Sequence, residues 1–326
     1  MSLIDYKAII EETQGLLNAN SEWRERYAAY AASISVNADF IRANRSRFRE
    51  WSPFKLYMNT TNAKNAKKSV SFELRYLGQT VAKMTCSHEK ISLSTATYEK
   101  KNLRDFGCDI ALAKCAWDGL EARAFRTYFK KRIALRNNSS DNSGNEEHRI
   151  ESLLLTEFSK QKQSNKALPN IQPVKIAGLR FPVPTPLSAS NHNKVEYANF
   201  HGGGIDILAR TGTGGRNTYL CIMELKDENK KSESAAVVMK QAVKYTVFIR
   251  ELLRSEAGAV WWKLFGFGGA IPKKLVLFAA CVMPDGEDAD ISFAGNEYDI
   301  CGDGIRLHYV YFKENNNQIE KVRTSL

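Results

Sequence analysis

An α/β fold is predicted by three features of the chain's second half. Two strongly apolar runs of strand length occur, TYLCIMELK and KKLVLFAACVM. A long amphipathic helical pattern, SESAAVVMKQAVKYTVFIREL, lies between them. Helix and strand signals also succeed one another in an order that places helices on the faces of a sheet. The first half reads differently, as short alternating segments closed by a basic helix, and an N-terminal α+β basic domain is expected there. At 326 residues the chain is long enough for two domains with separate cores.

Residues 1–50 have helical character, with Trp23, Tyr27, Tyr30 and Ile34 near helical spacing. SVSFELRY, LGQTVAKMT and EKISLSTAT alternate apolar and polar residues, and Val70, Phe72, Leu74 and Tyr76 share one face of a small antiparallel sheet. AWDGLEARAFRTYFKKRIALR, residues 116–136, closes this domain as a helix carrying Arg123, Arg126, Lys130, Lys131 and Arg132. That basic face either sits on phosphates or is simply solvated. NNSSDNSGNE, residues 137–146, is polar and aperiodic and reads as a linker, dividing a domain over 1–136 from one over 147–326.

Beyond it, EEHRIESLLLTEFSK predicts a helix, residues 174–181 (VKIAGLRF) a strand, and GIDILAR a short strand followed by the glycine-rich turn TGTGGRN. TYLCIMELK is apolar enough for a central strand. Ser232 or Ser234 caps the long helix. KKLVLFAACVM and IRLHYVYFK supply further strands. The aromatic cluster AVWWKLFGFGGAIPKK, residues 259–274, is either core and packed loop or a surface on which bases stack.

Composition excludes several classes. No run of 18 or more apolar residues exists, so no membrane span is expected. The start MSLIDYKAII lacks the blocks of a signal peptide. The six cysteines form no CxxC pair, which argues against a zinc knuckle or a disulfide framework and fits a reduced, cytoplasmic setting. The formal net charge of +11 is uneven: residues 1–140 hold 24 Lys/Arg against 14 Asp/Glu, residues 141–326 hold 23 against 22. A basic block beside a neutral one suggests a polyanion-binding module joined to something else.

Three charges interrupt the apolar strands: Asp206 on one, Glu224 and Lys226 on the next. Residues two apart on a strand face the same way, so Glu224 and Lys226 share a face. If GIDILAR pairs with TYLCIMELK through the TGTGGRN turn, Asp206 comes alongside Glu224. Two carboxylates brought together repel, and burial worsens this, unless a cation lies between them. Two carboxylates with waters and a substrate phosphate suit Mg²⁺ (or Mn²⁺). Such an ion polarises a phosphoryl oxygen and lowers the pKa of a bound water, and a nearby lysine stabilises the charge that builds in phosphodiester hydrolysis. Glu-x-Lys also occurs at Glu99/Lys101 and Glu228/Lys230, but only the copy at Glu224 ends a strongly apolar strand. On the long helix, Gln241 and Tyr245 lie four apart beside an apolar stripe, where the amide can reach a phosphate and the phenol can donate or stack. His201-Gly202-Gly203-Gly204 allows a bend or a close approach of backbone to phosphate. TGTGGRN lacks the Gly-Lys-Ser/Thr ending of a nucleotide loop.

Gly204-Ile205-Asp206, Glu224-Leu225-Lys226 and Gln241-Ala242-Val243-Lys244-Tyr245 together resemble the PD-(D/E)XK nuclease superfamily, and the Gln-x-x-x-Tyr helix resembles its RecB-like branch. The resemblance covers roughly residues 147–315. It implies a restriction-endonuclease-like mixed sheet with flanking helices and a Mg-dependent deoxyribonuclease. Asp206, Glu224 and the Leu225 carbonyl would bind the metal, Lys226 would serve catalysis, and Gln241 and Tyr245 would lie beside the substrate. An acid on the first helix is also implied, at Glu151 or one turn earlier at Glu147. Ile205 stands where the superfamily's name has proline, and His148 is available as an upstream histidine. DNA is the expected partner. A homo-oligomer or a separate helicase is compatible with the sequence, which carries no helicase motif. A non-catalytic nucleic-acid-binding protein or a protein-assembly module remain the alternatives.

Overall fold

The computed structural model describes residues 4–60, 69–95, 99–136, 146–159, 171–189, 194–199, 202–226, 233–286 and 290–326. Helices α1 (Tyr6–Ala19) and α2 (Trp23–Asn44) lead into strands β1 (Lys55–Met58), β2 (Ser69–Tyr76), β3 (Gln79–Ser87) and β4 (Ile91–Ser94). Then come α3 (Glu99–Asp105), β5 (Cys115–Ala116), α4 (Leu120–Arg136) and α5 (Glu146–Ser159). Short strands β6 (Gln172–Pro173), β7 (Val183–Pro184), β8 (Leu187–Ser188), β9 (Glu196–Tyr197) and β10 (Gly204–Ile205) precede β11 (Ile207–Gly214) and β12 (Asn217–Leu225). The chain continues through α6 (Ala235–Arg254), α7 (Gly258–Leu264), β13 (Val276–Pro284), β14 (Glu297–Ile300), β15 (Asp303–Asn315) and β16 (Gln318–Thr324).

Two compact units result. The larger contains Met1–Ala31, Leu153–Val174 and Val183–Leu326; the other contains Ala32–Ser152 and Lys175–Pro182. This corrects the division expected at 137–146. The first helix and the start of the second belong to the larger unit because their aromatic residues pack there. Trp23 and Tyr27 meet Phe248 edge-on at 5.6 and 4.9 Å between ring centres, and the Trp261 indole donates to the Tyr27 carbonyl at 3.1 Å. Residues 137–145 of the expected linker lie outside the described residues, and Glu146 already opens α5.

The smaller unit is the basic one. By sequence it holds 24 Lys/Arg and 13 Asp/Glu, so the chain's whole formal excess of +11 falls on it, while the larger unit balances at 23 and 23. Its antiparallel sheet runs β1-β2-β3-β4-β5. Val70, Phe72, Leu74 and Tyr76 are buried on one face, as their alternation predicts. From α4, Phe125 stacks on Phe54 at 5.6 Å and Phe129 packs against Tyr76 at 4.6 Å. Residues 174–181 do not form the single strand expected. Ala177 and Gly178 adopt positive φ (51° and 79°), and Ile176 and Leu179 exchange two backbone hydrogen bonds of 2.9 Å. A tight two-residue hairpin turn results, because both central residues occupy the left-handed region such turns need. Its outgoing arm bonds alongside β1, where Met58 N donates to the Arg180 carbonyl at 2.7 Å.

The larger unit is built on a mixed sheet ordered β14-β15-β13-β12-β11-β6, with β16 on β15. Strands β12, β13 and β15 are parallel neighbours, and β11 joins β12 antiparallel. The α/β class expected from the sequence is therefore present. The run from Leu220 to Leu225 is buried throughout, which marks a central strand. Helix α6 starts after Ser234, packs on β12 and β13, and is covered by α1. The aromatic cluster forms helix α7, with Trp261 fully buried and Trp262 stacked on Phe267 at 3.9 Å; it is core. All six cysteines are free thiols. Among the described residues no helix is long and apolar enough to cross a membrane.

His308 on β15 gives the larger unit a defined acid sensitivity. It is 6 % exposed and its Nδ1 lies 3.1 Å from the Ser325 carbonyl. Burial lowers its pKa to about 4, against the Ser325 carbonyl's opposing effect. Because the folded value lies below the unfolded one, the unfolded chain takes up the proton first as pH falls. Stability from this group is present above about pH 6.5 and is lost between there and pH 4, up to about 3 kcal/mol. Urea unfolding at pH 7 and pH 4 is expected to show a smaller difference for His308→Phe than for wild type. Equal losses in both proteins would remove His308 as the cause.

Candidate active site

The hairpin of β11 and β12 builds the site. Its register pairs Ile207 with Met223 and Leu208 with Ile222. Asp206 and Glu224 are the residues that come next, Asp206 in the bend just before β11 and Glu224 near the end of β12. Asp206 sits at the bend between β10 and β11, and its Oδ2 accepts from the Leu225 amide at 2.8 Å. That bond anchors the carboxylate to the end of β12. Glu224 is 2 % exposed, and Lys226, 6 % exposed, places Nζ 3.3 Å from its Oε1. The pair is buried, so the ammonium carries much of the cost of sinking a carboxylate. Leu225, between them, pairs with Val282 of β13.

Helix α6 brings the next two residues. Gln241 is half-buried, and its Nε2 donates to the Tyr245 hydroxyl at 3.4 Å. Burial holds the Tyr245 phenol above its usual pKa, and the negative charges of Glu224 and Asp206 add to this, so it remains a donor. The Tyr245 ring is buried, so its face is not available to a substrate for stacking. The hydroxyl is the part that feels the charge of both acids.

One contributor was not legible in the sequence. Thr185, in the Pro-rich stretch FPVPTPLS, shares its one Oγ1 hydrogen between the carbonyls of Leu187 (3.0 Å) and Gly203 (2.9 Å) and lies near enough to Tyr245 to affect its phenol. Backbone bonds from Gly203 N to the Leu187 carbonyl (2.7 Å) and from Thr185 N to the Gly203 carbonyl (2.8 Å) fasten the same two segments. A Cβ at Gly203 would overlap the Tyr245 hydroxyl, and one at Gly202 would overlap the Leu187 carbonyl. These glycines therefore serve close approach of backbone to protein. His201 lies outside the described residues, as do Glu228, Lys230 and Ser232.

The other expected residues belong to the smaller unit. Glu151 belongs to the smaller unit, 8 % exposed, where it accepts from the Tyr57 hydroxyl and faces His148 Nδ1, both at 3.3 Å. Glu147 is on the same helix, half-buried. On α4, Arg123, Lys130 and Lys131 are exposed, whereas Arg126 lies over the Trp51 ring at 4.4 Å. The Trp51 stacking commits that guanidinium to its own unit.

Among the described residues no group of three or more His, Cys, Asp or Glu side chains is arranged to hold a metal. The pair Asp206 and Glu224 nevertheless fits a hard divalent ion that takes one or two carboxylates and leaves its other positions to water and phosphate. The donors there are oxygens, and Asp206 is bonded to the amide of Leu225, the residue after Glu224. No family model, curated protein or solved structure matches the chain.

Proposed function

We propose that the chain is a Mg²⁺-dependent nuclease that hydrolyses phosphodiester bonds of DNA, on a restriction-endonuclease-like core. One observation carries the reading: Asp206 bonds to the Leu225 amide at 2.8 Å, between Glu224 and Lys226 in sequence, and Lys226 lies 3.3 Å from Glu224. Buried charges gathered at one strand end are costly to maintain as architecture alone.

The roles follow from chemistry. Asp206, Glu224 and the Leu225 carbonyl would hold the ion. When bound, it supplies positive charge to the phosphoryl oxygens, on which negative charge grows in the transition state. Lys226 adds a donor at the same point, fixed in place by its bond to Glu224. Gln241 has a second amide hydrogen for a phosphate oxygen. Tyr245 and Thr185 set the position of the segment that carries Asp206.

The test is cleavage of linear duplex, circular duplex and single-stranded DNA with Mg²⁺, with Mn²⁺ and with chelator. Cleavage that requires either metal is expected, and the substrate pattern then separates end-dependent from internal cutting. Intact DNA under every metal condition, or cleavage undiminished in chelator, refutes the reading.

A further inference from the structure

The smaller unit gathers cations that none of the roles above uses. Lys175 and Arg180 flank the Ile176–Leu179 pair of the tight hairpin and so stand opposite each other across it. Like charges in that relation are unfavourable. Arg180 also bridges Tyr57, two residues after Lys55 on β1. Arg45 reaches the same hairpin: a Cβ at Gly178 would lie 3.6 Å from its Nε. Glu50 answers part of this charge, but its Oε1 is committed, accepting from Arg180 Nη1 at 3.1 Å and from the Leu56 amide at 2.9 Å.

Two buried donors are left over. Arg180 is 4 % exposed, yet its Nε meets no acceptor, and neither does the buried Nη1 of Arg45. Burial, and then the charge of Arg180, lower the pKa values of both Lys55 and Lys175, with Glu50 opposing. The lysines thus feel their cationic neighbours more than the acid. An anion would reverse each of these penalties together.

We infer that Arg45, Lys55, Lys175 and Arg180 form a binding site for a phosphate group. Two guanidinium groups and two ammonium groups set four positive charges against the acid Glu50. A tetrahedral phosphate has oxygens for all of them, whereas a carboxylate has two. The phosphate arrives either as the free ion or within a nucleic-acid backbone. The inference is separate from the proposed cleavage, since it needs neither metal nor Asp206.

The experiment uses the full chain in chelator, so no cleavage enters the readout. Inorganic phosphate is titrated by calorimetry into wild type, Lys55→Gln with Lys175→Gln, Arg45→Gln alone, and Lys100→Gln with Lys101→Gln as an equal charge loss elsewhere in the unit. Circular dichroism checks folding. Wild type and the Lys100/Lys101 control are expected to bind. The Lys55/Lys175 pair and Arg45→Gln are each expected to bind at least about tenfold more weakly, as loss of charge-assisted hydrogen bonds implies. Should one variant fail to fold, the other, on a different element, carries the comparison. Wild-type affinity in the folded site variants, or no binding by wild type, overturns the site.

A fluorescein-labelled single-stranded oligonucleotide separates the two sources. If backbone phosphate is the ligand, the salt dependence of binding becomes shallower by about 0.7 for each charge removed. An unchanged slope with weakened inorganic phosphate binding assigns the site to the free ion.

Discussion

Asp206→Ala is expected to abolish metal-dependent cleavage while leaving DNA binding near wild type. The carboxylate is bonded to the Leu225 amide, next to Glu224 in sequence, and without it one of the two acids that would hold the ion is gone. The basic unit, which carries the chain's entire excess of positive charge, is unaltered, so the salt-sensitive part of binding persists. Removing a preorganised electrostatic stabiliser typically costs about 10²–10³ in kcat, or about 2.7–4 kcal/mol. Alanine also loses the bond from the Leu225 amide, so Asp206→Asn is the sharper variant. Asparagine keeps an oxygen to accept that amide and removes only the charge. Lys226→Ala is expected to abolish cleavage too, but with a stability cost, because Glu224 is left buried without its ammonium partner. Cleavage assays beside thermal unfolding separate the two effects. Wild-type cutting by both Asp206→Asn and Lys226→Ala would exclude this strand end as the reacting site.

What the sequence made legible followed from local geometry. A strand alternates with period two, so Glu224 and Lys226 could be placed together from spacing alone, and they lie 3.3 Å apart. The four-residue step of a helix likewise placed Gln241 beside Tyr245. Long-range packing was not legible. Nothing local announces that Trp23 and Tyr27 seal against Phe248 and Trp261, more than two hundred residues away, and so the first helices were assigned to the wrong unit. Thr185 was hidden for a related reason. Its role depends on two short segments, 183–188 and 202–205, held together by backbone bonds, and neither has a periodicity to read. The 174–181 segment was misread because Ala177 is not a residue that advertises a left-handed turn. The same hairpin is what brings Lys175 opposite Arg180, a relation that a single extended strand over 174–181 does not produce.

Gly203→Ala is expected to disable the site from a position that carries no chemistry. The new methyl group would overlap the Tyr245 hydroxyl, and the ring, 1 % exposed, has no open space into which to turn. Either the helix residue or the glycine segment must yield. Overpacking of this kind costs about 1–3 kcal/mol. Because Asp206 follows three residues later on the same short segment, its carboxylate is expected to shift as well. A displacement near 1 Å at a reacting group reduces turnover about 10²-fold. Tyr245→Phe is the informative companion, since it removes the nearer of the two obstructing ring-end atoms. Alone it should cost about 0.5–1.5 kcal/mol, because Gln241 is half-buried and Thr185 retains its bonds to two carbonyls. The double variant loses the severe overlap with the hydroxyl and keeps a smaller one with Cζ at 2.9 Å. Its stability loss is therefore expected to fall short of the sum of the single losses by about 1 kcal/mol or more, and part of the lost cleavage should return. A merely generic loss at Gly203 predicts additive effects instead. Additivity in denaturant unfolding, with no recovery of cleavage, would show that the glycine and the phenol do not act on Asp206 through their mutual contact.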